Sequence, residues 1–581
     1  MIIYAMEKAL LQAKEKLTKL LDNLEPEGIR YTPSDVEGDI AYPCFPLAKT
    51  LRQSPQKIAE DLATKLEFTQ KDILEKAESS GGYINFYINH NIFASEVLND
   101  FLKLKDKYGS SDLGNNKTVI IDYSSPNIAK PFSIGHLRST NIGSALHKIL
   151  SFLGFNCIGD NHLGDWGTQF GKLIYAYKNW GDRAQIEKDP IKELLKLYVR
   201  FHDEAGLKGD EQPESGVSAP NPMEEEARKY FKQLEDGNPE IVELWNWIKD
   251  ISLTDFQKVY DVLNVKFEEM LGESFYNDKM DEVMELTESK NILTTDPEGT
   301  KLVKLEEHGI KTPLLIQKKD GASLYATRDL AGIIYRVKRW NPDQILYVVG
   351  EEQELYFKQL LKVKELLGFS VKCEHIQFGL MVMPEGKIST RKGNVIFLED
   401  VLNESQERVK TLVEDRDLSP SAKEEIAKVV GIGAVKYHDL SQNRKKTVTF
   451  EWDKMLSLDG NSSPYLQYSY SRARSIIRKS GIKELTSGID TINYTQSEFD
   501  LIKKLAQFPE TVVSSGKQYY PHIIATYLFE LAQEFSRFYG NVKVIGEEEK
   551  VMQQRLLLID FYSQVMKTGL ALLGIAVVEE M

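Results

Sequence analysis

Cysteine is scarce in this 581-residue chain: Cys44, Cys157 and Cys373 lie far apart, with no Cys-x-x-Cys pair. That spacing offers neither a disulfide framework nor a zinc knuckle, and it points to a reduced, cytoplasmic setting. No stretch approaches the roughly 18 consecutive apolar residues of a membrane span; the apolar tail Leu570–Val578 is too short. The segment Met1–Leu20 lacks the basic start, apolar middle and small-residue cleavage site of a signal peptide, and carries Glu7 and Glu15 among its lysines. Internal repeats, long low-complexity tracts and a Gly-x4-Gly-Lys-Ser/Thr phosphate loop are all missing. Positive charge is also short, with 73 Lys and Arg against 87 Asp and Glu, which argues at first against a nucleic-acid partner.

The average charge hides an asymmetry. Residues 431–581 carry a net +1, so the first 430 carry −15. Within Ser441–Ser480 the balance is +5. An acidic body with a locally basic C-terminal face suits an anionic partner touched only in places, although charge alone favours a solvated helix face. With 42% hydrophobic and 28% charged residues the chain is neither disordered nor a rod. Its length suits three or four domains of about 150 residues.

Residues 1–112 read as a small α+β unit. Ala5–Leu24 has helical periodicity, Pro55–Leu66 reads as a helix with Ser54 as N-cap, and Gly82–Ile88 alternates like a strand. From 113 to 452 the pattern changes. Apolar runs at Thr118–Asp122, around Ile158 and at Gln344–Val349 each lead through a short glycine-punctuated turn into a helix, as in a doubly wound parallel sheet. An acidic, mostly helical insertion occupies about 181–293. Residues 453–581 read as an all-α bundle.

Two stretches carry chemistry. Ser124-Ser-Pro-Asn-Ile-Ala-Lys-Pro-Phe-Ser-Ile-Gly-His-Leu-Arg-Ser-Thr140 places a turn and a helix N-terminus after a strand, which is a ready anion site. Gly135 allows a nucleotide close to the backbone, and Ser133 and His136 offer side-chain donors. About 250 residues on, Gly386-Lys-Ile-Ser-Thr-Arg-Lys-Gly-Asn394 is a glycine-bounded basic loop suited to clamping a polyphosphate.

In this order, the two resemble the signatures of class I aminoacyl-tRNA synthetases: Ser133-Ile-Gly-His136 their HIGH motif, Lys387-Ile-Ser-Thr-Arg391 their KMSKS loop. The resemblance narrows to arginyl-tRNA synthetases at Ser125–Lys130, Gly164–Gly171, Tyr325–Ala331 and Val348–Gln353. Ser463–Tyr468 resembles the opening of that family's anticodon-binding domain, and Ala41–Ala48 and Gly81–Phe86 its N-terminal domain. Two departures stand out: Ser133 replaces the first HIGH histidine, and Arg391-Lys392 stands where many class I enzymes have Lys-Ser.

The resemblance implies a Rossmann-like catalytic domain and an arginine–tRNA ligase using ATP with Mg²⁺, without zinc or membrane association, acting as a cytoplasmic monomer on L-arginine and tRNA(Arg). His136, Lys387, Arg391 and Lys130 would stabilise the transferring phosphoryl group. Ser133, Gly135, Ser389 and Lys392, with His136 and Lys387, would hold ATP. Asp122, Tyr325 and Asp329 would meet the guanidinium of arginine, with Ser125, Asn127, His136 and Gln353 completing the pocket. Tyr83, Asn85 and Phe86 would touch the tRNA elbow, and Arg444, Tyr465, Tyr468 and Arg472, with Arg474 beside them, the anticodon arm. Two other readings compete: a different class I synthetase, such as a cysteine-specific one, which the absent Cys/His cluster disfavours, and a non-catalytic RNA-binding paralogue, to which Ser133 lends weight.

Overall fold

The computed structural model describes residues 3–21, 26–32, 37–128, 130–206, 221–319, 324–382, 397–482 and 494–581. At the N-terminus, β1 (Arg30–Tyr31), β2 (Ile40–Pro43), β3 (Leu74–Ser80) and β4 (Tyr83–Ile88) form an antiparallel sheet in the order β1-β2-β4-β3. The first helix, Ala5–Leu20, buries Ala5, Ala9, Ala13 and Leu17 on one stripe and ends short of Leu24. The helix Pro55–Ala63 starts where Ser54 Oγ accepts the N–H of Lys57, but stops three residues before Leu66. In β4 the alternation breaks, because Ile84, Asn85 and Phe86 are all buried.

The catalytic region opens with β5 (Thr118–Asp122), the helix Ile134–Phe152 and β6 (Asn156–Asp160). The insertion follows. Its helices Arg183–Lys188, Pro190–Glu204, Pro222–Glu235 and Pro239–Leu263 mostly begin with proline, after Asp or Asn at the N-cap, the residue order that pre-sets a first turn. A small antiparallel sheet of β7 (Leu293–Thr295), β8 (Lys301–Val303) and β9 (Leu314–Gln317) leads to the helix Tyr325–Trp340. Then come β10 (Gln344–Tyr347), the helix Glu354–Leu366 and β11 (Lys372–His375). The four long-range strands pair in parallel in the order β11-β10-β5-β6. Chain direction across the sheet therefore reverses between β5 and β10, the switch point where doubly wound sheets open a crevice at their carboxyl ends. Val119, Ile120 and Ile121 are all buried, as expected of a strand covered on both faces.

The C-terminal helices include Ser463–Ser480, His522–Asn541 and Glu549–Leu572. One apolar core runs from the N-terminal sheet through the helix Ile134–Phe152 into this bundle. Phe101 stacks on Phe561, with ring centroids 4.2 Å apart.

Within the helix Ile134–Phe152, Gly143 lets Tyr123 pack against the backbone: a Cβ there would lie 2.2 Å from Tyr123 Cγ. Gly143→Ala is expected to destabilise the catalytic region by about 1–3 kcal/mol, the usual range for overpacking, read as a lowered urea midpoint. An unchanged midpoint would show that Tyr123 yields freely.

Candidate active site

The site is built on a strained turn. After Asp122 the chain passes through Ser124 (φ 74°) and Ser125 (φ 46°), left-handed conformations that non-glycine residues hold only when their surroundings over-determine them. Here the Ser124 N–H donates to Ser139 Oγ (2.9 Å), and the Ser125 N–H to Asn161 Oδ1 (3.0 Å). Ser124 Oγ shares hydrogen bonds with Tyr260 and Thr140. These mostly buried bonds aim Ser125 and Asn127 into a cavity of about 490 Å³ beside the carboxyl ends of β5 and β10.

The helix Ile134–Phe152 begins at the cavity wall, where Gly135 is exposed. His136 Nδ1 accepts the N–H of Ser133 (3.1 Å) and lies 3.2 Å from Ser133 Oγ. With Nδ1 accepting a main-chain hydrogen, the ring proton sits on Nε2. Burial pushes the pKa of His136 down to about 4, with the charge of Lys130 acting in the same direction. The imidazole is thus a neutral N–H donor at neutral pH, beside the free amides of a helix N-terminus, and together these suit a phosphate oxygen. Ser133 is buried and engaged with His136, so it helps to orient that ring. Lys130 is not part of the cavity wall; its Nζ lies 5.6 Å from the centre of the Tyr198 ring.

Opposite the helix N-terminus the cavity is acidic. Asp329, on the helix Tyr325–Trp340, accepts a short hydrogen bond from the Tyr356 hydroxyl, and its other oxygen lies 3.8 Å from His162 Nε2. Burial raises its pKa, opposed by His162 and Tyr356. Its neighbour Arg328 turns instead to Asn277 Oδ1 (3.2 Å). Tyr325 stands at the mouth, 70% exposed, and Gln353 lines the wall. Asp122 faces the cavity but is already paired: Arg336 reaches it at 2.6 Å and Asp160 at 2.7 Å. Its second oxygen accepts from Ser125 Oγ (3.1 Å). One guanidinium shared by two carboxylates leaves Asp122 engaged but not neutralised. His162, Glu273, Arg328 and Tyr356 also line the cavity and escaped the sequence reading. Only His162 carried a signal, lying two residues past the end of β6.

Lys387, Ser389, Thr390, Arg391 and Lys392 lie outside the described residues. The flanks of that segment are anchored near the helix N-terminus. β12 (Met381–Val382) pairs in parallel with β13 (Val448–Thr449), Phe397 bridges Ser133, and the Leu398 N–H donates to the Phe132 carbonyl (2.9 Å).

The proposed RNA contacts divide. Phe86 is buried in the N-terminal core, which corrects its assignment as an RNA-facing group; Asn85 alternates with it on the other face of β4, beside the half-buried Tyr83 and Tyr87, and is itself little exposed. Tyr83 is half-buried, edge-on to the exposed Phe45 at 5.2 Å. Arg444 is a further correction: 5% exposed, it donates to the carbonyls of Tyr519 and Gln377 and packs over Tyr520. Arg474 is held by Asp560 (3.0 Å) and Glu579 (3.2 Å). Tyr465 is half-buried against Phe529. Tyr468 and Arg472 line a basic groove of about 730 Å³ with Tyr539, Lys479 and Lys543; the Arg472 guanidinium lies 4.2 Å over the Tyr539 ring.

A sequence profile described as "tRNA synthetases class I (R), catalytic domain" matches residues 97–452, more than half of the chain. "Arginyl tRNA synthetase N terminal domain" matches 5–88, and "DALR anticodon binding domain" matches 466–581. The chain belongs to the arginyl-tRNA synthetase family. Arginine–tRNA ligases of Alkaliphilus metalliredigens (44% identical, 96% of each chain covered) and Clostridium perfringens (46%, 98% of each) are similar along their whole length. The crystal structure of an arginyl-tRNA synthetase from Plasmodium falciparum superposes with a TM-score of 0.80 at 25% identity, covering both chains fully. A class I synthetase of this family has the α/β catalytic architecture and C-terminal helical domain described above. Among the described residues, no group of three His, Cys, Asp or Glu side chains is placed to hold a metal, and no helix is long and apolar enough to cross a membrane.

Proposed function

We infer that this chain is an arginine–tRNA ligase, which activates L-arginine with ATP and transfers it to the 3′ terminal ribose of tRNA(Arg). The observation that carries this reading is a single cavity with two unlike ends, the neutral His136 donor at a helix N-terminus and the half-buried carboxylate of Asp329. Such a cavity suits an amino acid whose side chain is a cation and whose carboxylate must reach a phosphate.

The arginine carboxylate attacks the α-phosphorus, an oxygen–phosphorus bond forms, and pyrophosphate leaves. The ribose hydroxyl then attacks the activated carbonyl and AMP departs. No protein nucleophile is required; catalysis is positioning and charge stabilisation. Asp329 and Tyr325 hold the guanidinium, and Asn127 with Ser125 holds the backbone end. Gln353 lines the pocket, and His136 donates through Nε2–H to a phosphate oxygen. Lys387 and Arg391, with Ser389 and Lys392, supply further positive charge and hydroxyls to the nucleotide, and Lys130 adds positive charge from beside the cavity. Mg²⁺ enters with ATP as part of the substrate. We assign tRNA contact to residues 1–112, chemistry to 113–452 with the insertion at about 181–293, and anticodon reading to 453–581, in a cytoplasmic monomer.

The test is charging of unfractionated tRNA with labelled arginine; acid-precipitable arginine supports the reading, and its absence refutes it. In the same assay, Arg472→Ala is expected to raise the tRNA KM about tenfold and shallow its salt dependence by roughly one charge, with the arginine KM unchanged. An unchanged tRNA KM would remove the groove from the RNA path.

A further inference from the structure

Two residues past His136, on the same helix, Arg138 is not part of the cavity wall. It is 1% exposed, and its guanidinium is committed mainly to carbonyl oxygens. Nε donates to Asp439 Oδ1 (2.9 Å). Nη1 donates to the carbonyls of Gly379 (2.5 Å) and Lys446 (2.9 Å) and, at longer range, of Leu380 (3.4 Å). Nη2 donates to the carbonyl of Arg444 (3.2 Å). These acceptors belong to three segments: the chain just before β12, the chain just before β13, and the helix Pro420–Leu440. A guanidinium carries its N–H donors in a rigid plane, and burying it is costly unless those donors are met. Meeting them here fixes three segments against one helix.

The gripped segments lead to the nucleotide end. The Gly379 N–H donates to the Arg444 carbonyl (2.9 Å), and a Cβ on Gly379 would come within 2.8 Å of the Lys446 carbonyl. The two segments therefore lie in direct contact, and they continue as β12 and β13, which pair in parallel. Just before Gly379, Phe378 lines the cavity, and its carbonyl accepts the Glu351 N–H (2.9 Å). The stretch of chain that follows Val382 and precedes Phe397 carries Lys387 and Arg391.

We propose that Arg138 is a positioning residue for the nucleotide half of the reaction, holding β12, the base of the stretch that bears Lys387, in fixed register with the helix that bears His136. This rests on the arginine–tRNA ligase reading. His136 and Lys387 can act on one triphosphate only if the spacing of their supports is constant, and a misplacement of about 1 Å can cost roughly a hundredfold in rate. Arg138 ties that spacing to the His136 helix itself. Its bonds include none to the helix Tyr325–Trp340, which carries Tyr325 and Asp329 at the amino-acid end. Lysine would keep the charge, but a single ammonium on a flexible stem cannot reproduce the planar fork that joins the three segments.

The test is arginine-dependent ATP–pyrophosphate exchange by the full chain with tRNA and Mg²⁺ present. Arg138→Lys is expected to lower kcat/KM for ATP about tenfold or more and to leave the arginine KM within about twofold. In a Lys387→Ala background the same substitution should cost less than about threefold further, because the group being positioned is gone. An unchanged kcat/KM for ATP, equal rises in the ATP and arginine KM, or the full loss repeated in the Lys387→Ala background would each overturn the proposal. Should Arg138→Lys fold poorly, Asp439→Asn, which weakens the Nε anchor alone, decides by the same split. A loss confined to the ATP side supports the proposal; no loss, or equal loss on both sides, refutes it. Failure of the wild type to exchange with arginine and tRNA would be seen before any variant is made, and would fall on the ligase reading itself.

Discussion

Asp329→Asn is expected to raise the arginine KM roughly a hundredfold while moving the ATP KM less than about threefold. The carboxylate is half-buried beside Tyr356 and His162, and on the proposed reading the substrate guanidinium is its counter-charge in the complex. Removing one partner of a buried charge pair costs about 3–5 kcal/mol, because the remaining charge is left without compensation; a hundredfold is about 2.7 kcal/mol. The amide keeps the shape and one acceptor, so the loss is of charge. The ATP end of the cavity lies against the helix N-terminus, away from this substitution. Steady-state kinetics with each substrate varied in turn checks it. Equal increases in both constants would make Asp329 a support for the fold.

The second large effect is at the other end of the cavity. His136→Ala is expected to lower kcat about 10²–10³-fold, the usual cost of removing one preorganised donor to developing charge, with the arginine KM changed only a few-fold. His136 remains neutral over the working range because burial holds its pKa near 4. The pH profile of kcat should therefore show no step from this residue between pH 6 and 8. The stability linkage has a definite sign. An unfolded histidine takes its proton near 6.5, the folded one near 4, so the unfolded state binds more protons between these values and stability falls as pH drops through that window. His136→Gln should remove this part of the acid sensitivity. A kcat within a few-fold of wild type in His136→Ala would contradict the assigned role.

Much of the site was legible because its framework is local. The buried run Thr118–Asp122, the Ser-Pro-Asn turn and Gly135-His136 follow one another within twenty residues, and short-range rules place a strand, a turn and a helix N-terminus there. The acidic wall was harder to read. His162, Glu273, Asp329 and Tyr356 come from the loop after β6, the end of the insertion and two further helices, and no spacing rule connects them. Nor could burial be read from composition. Alternation in Tyr83–Ile88 marked a strand but not which face meets the core, so Phe86 looked available when it packs inward with Ile84 and Ile88. Arg444 opens a basic run and looked solvent-facing. Its guanidinium fits between main-chain carbonyls 67 and 75 residues away, which only the tertiary fold supplies. Ser133, read as a side-chain donor to ATP, also holds the orientation of His136 through a capping box.

The central claim is that one cavity joins a guanidinium to an activated phosphate. Amino-acid-dependent ATP–pyrophosphate exchange tests it most directly, run on the full chain with each of the twenty amino acids, with and without unfractionated tRNA. Exchange with arginine in the presence of tRNA, and with none of the other nineteen, is the predicted result. No exchange with arginine in either condition, or exchange with lysine as fast as with arginine, would contradict it.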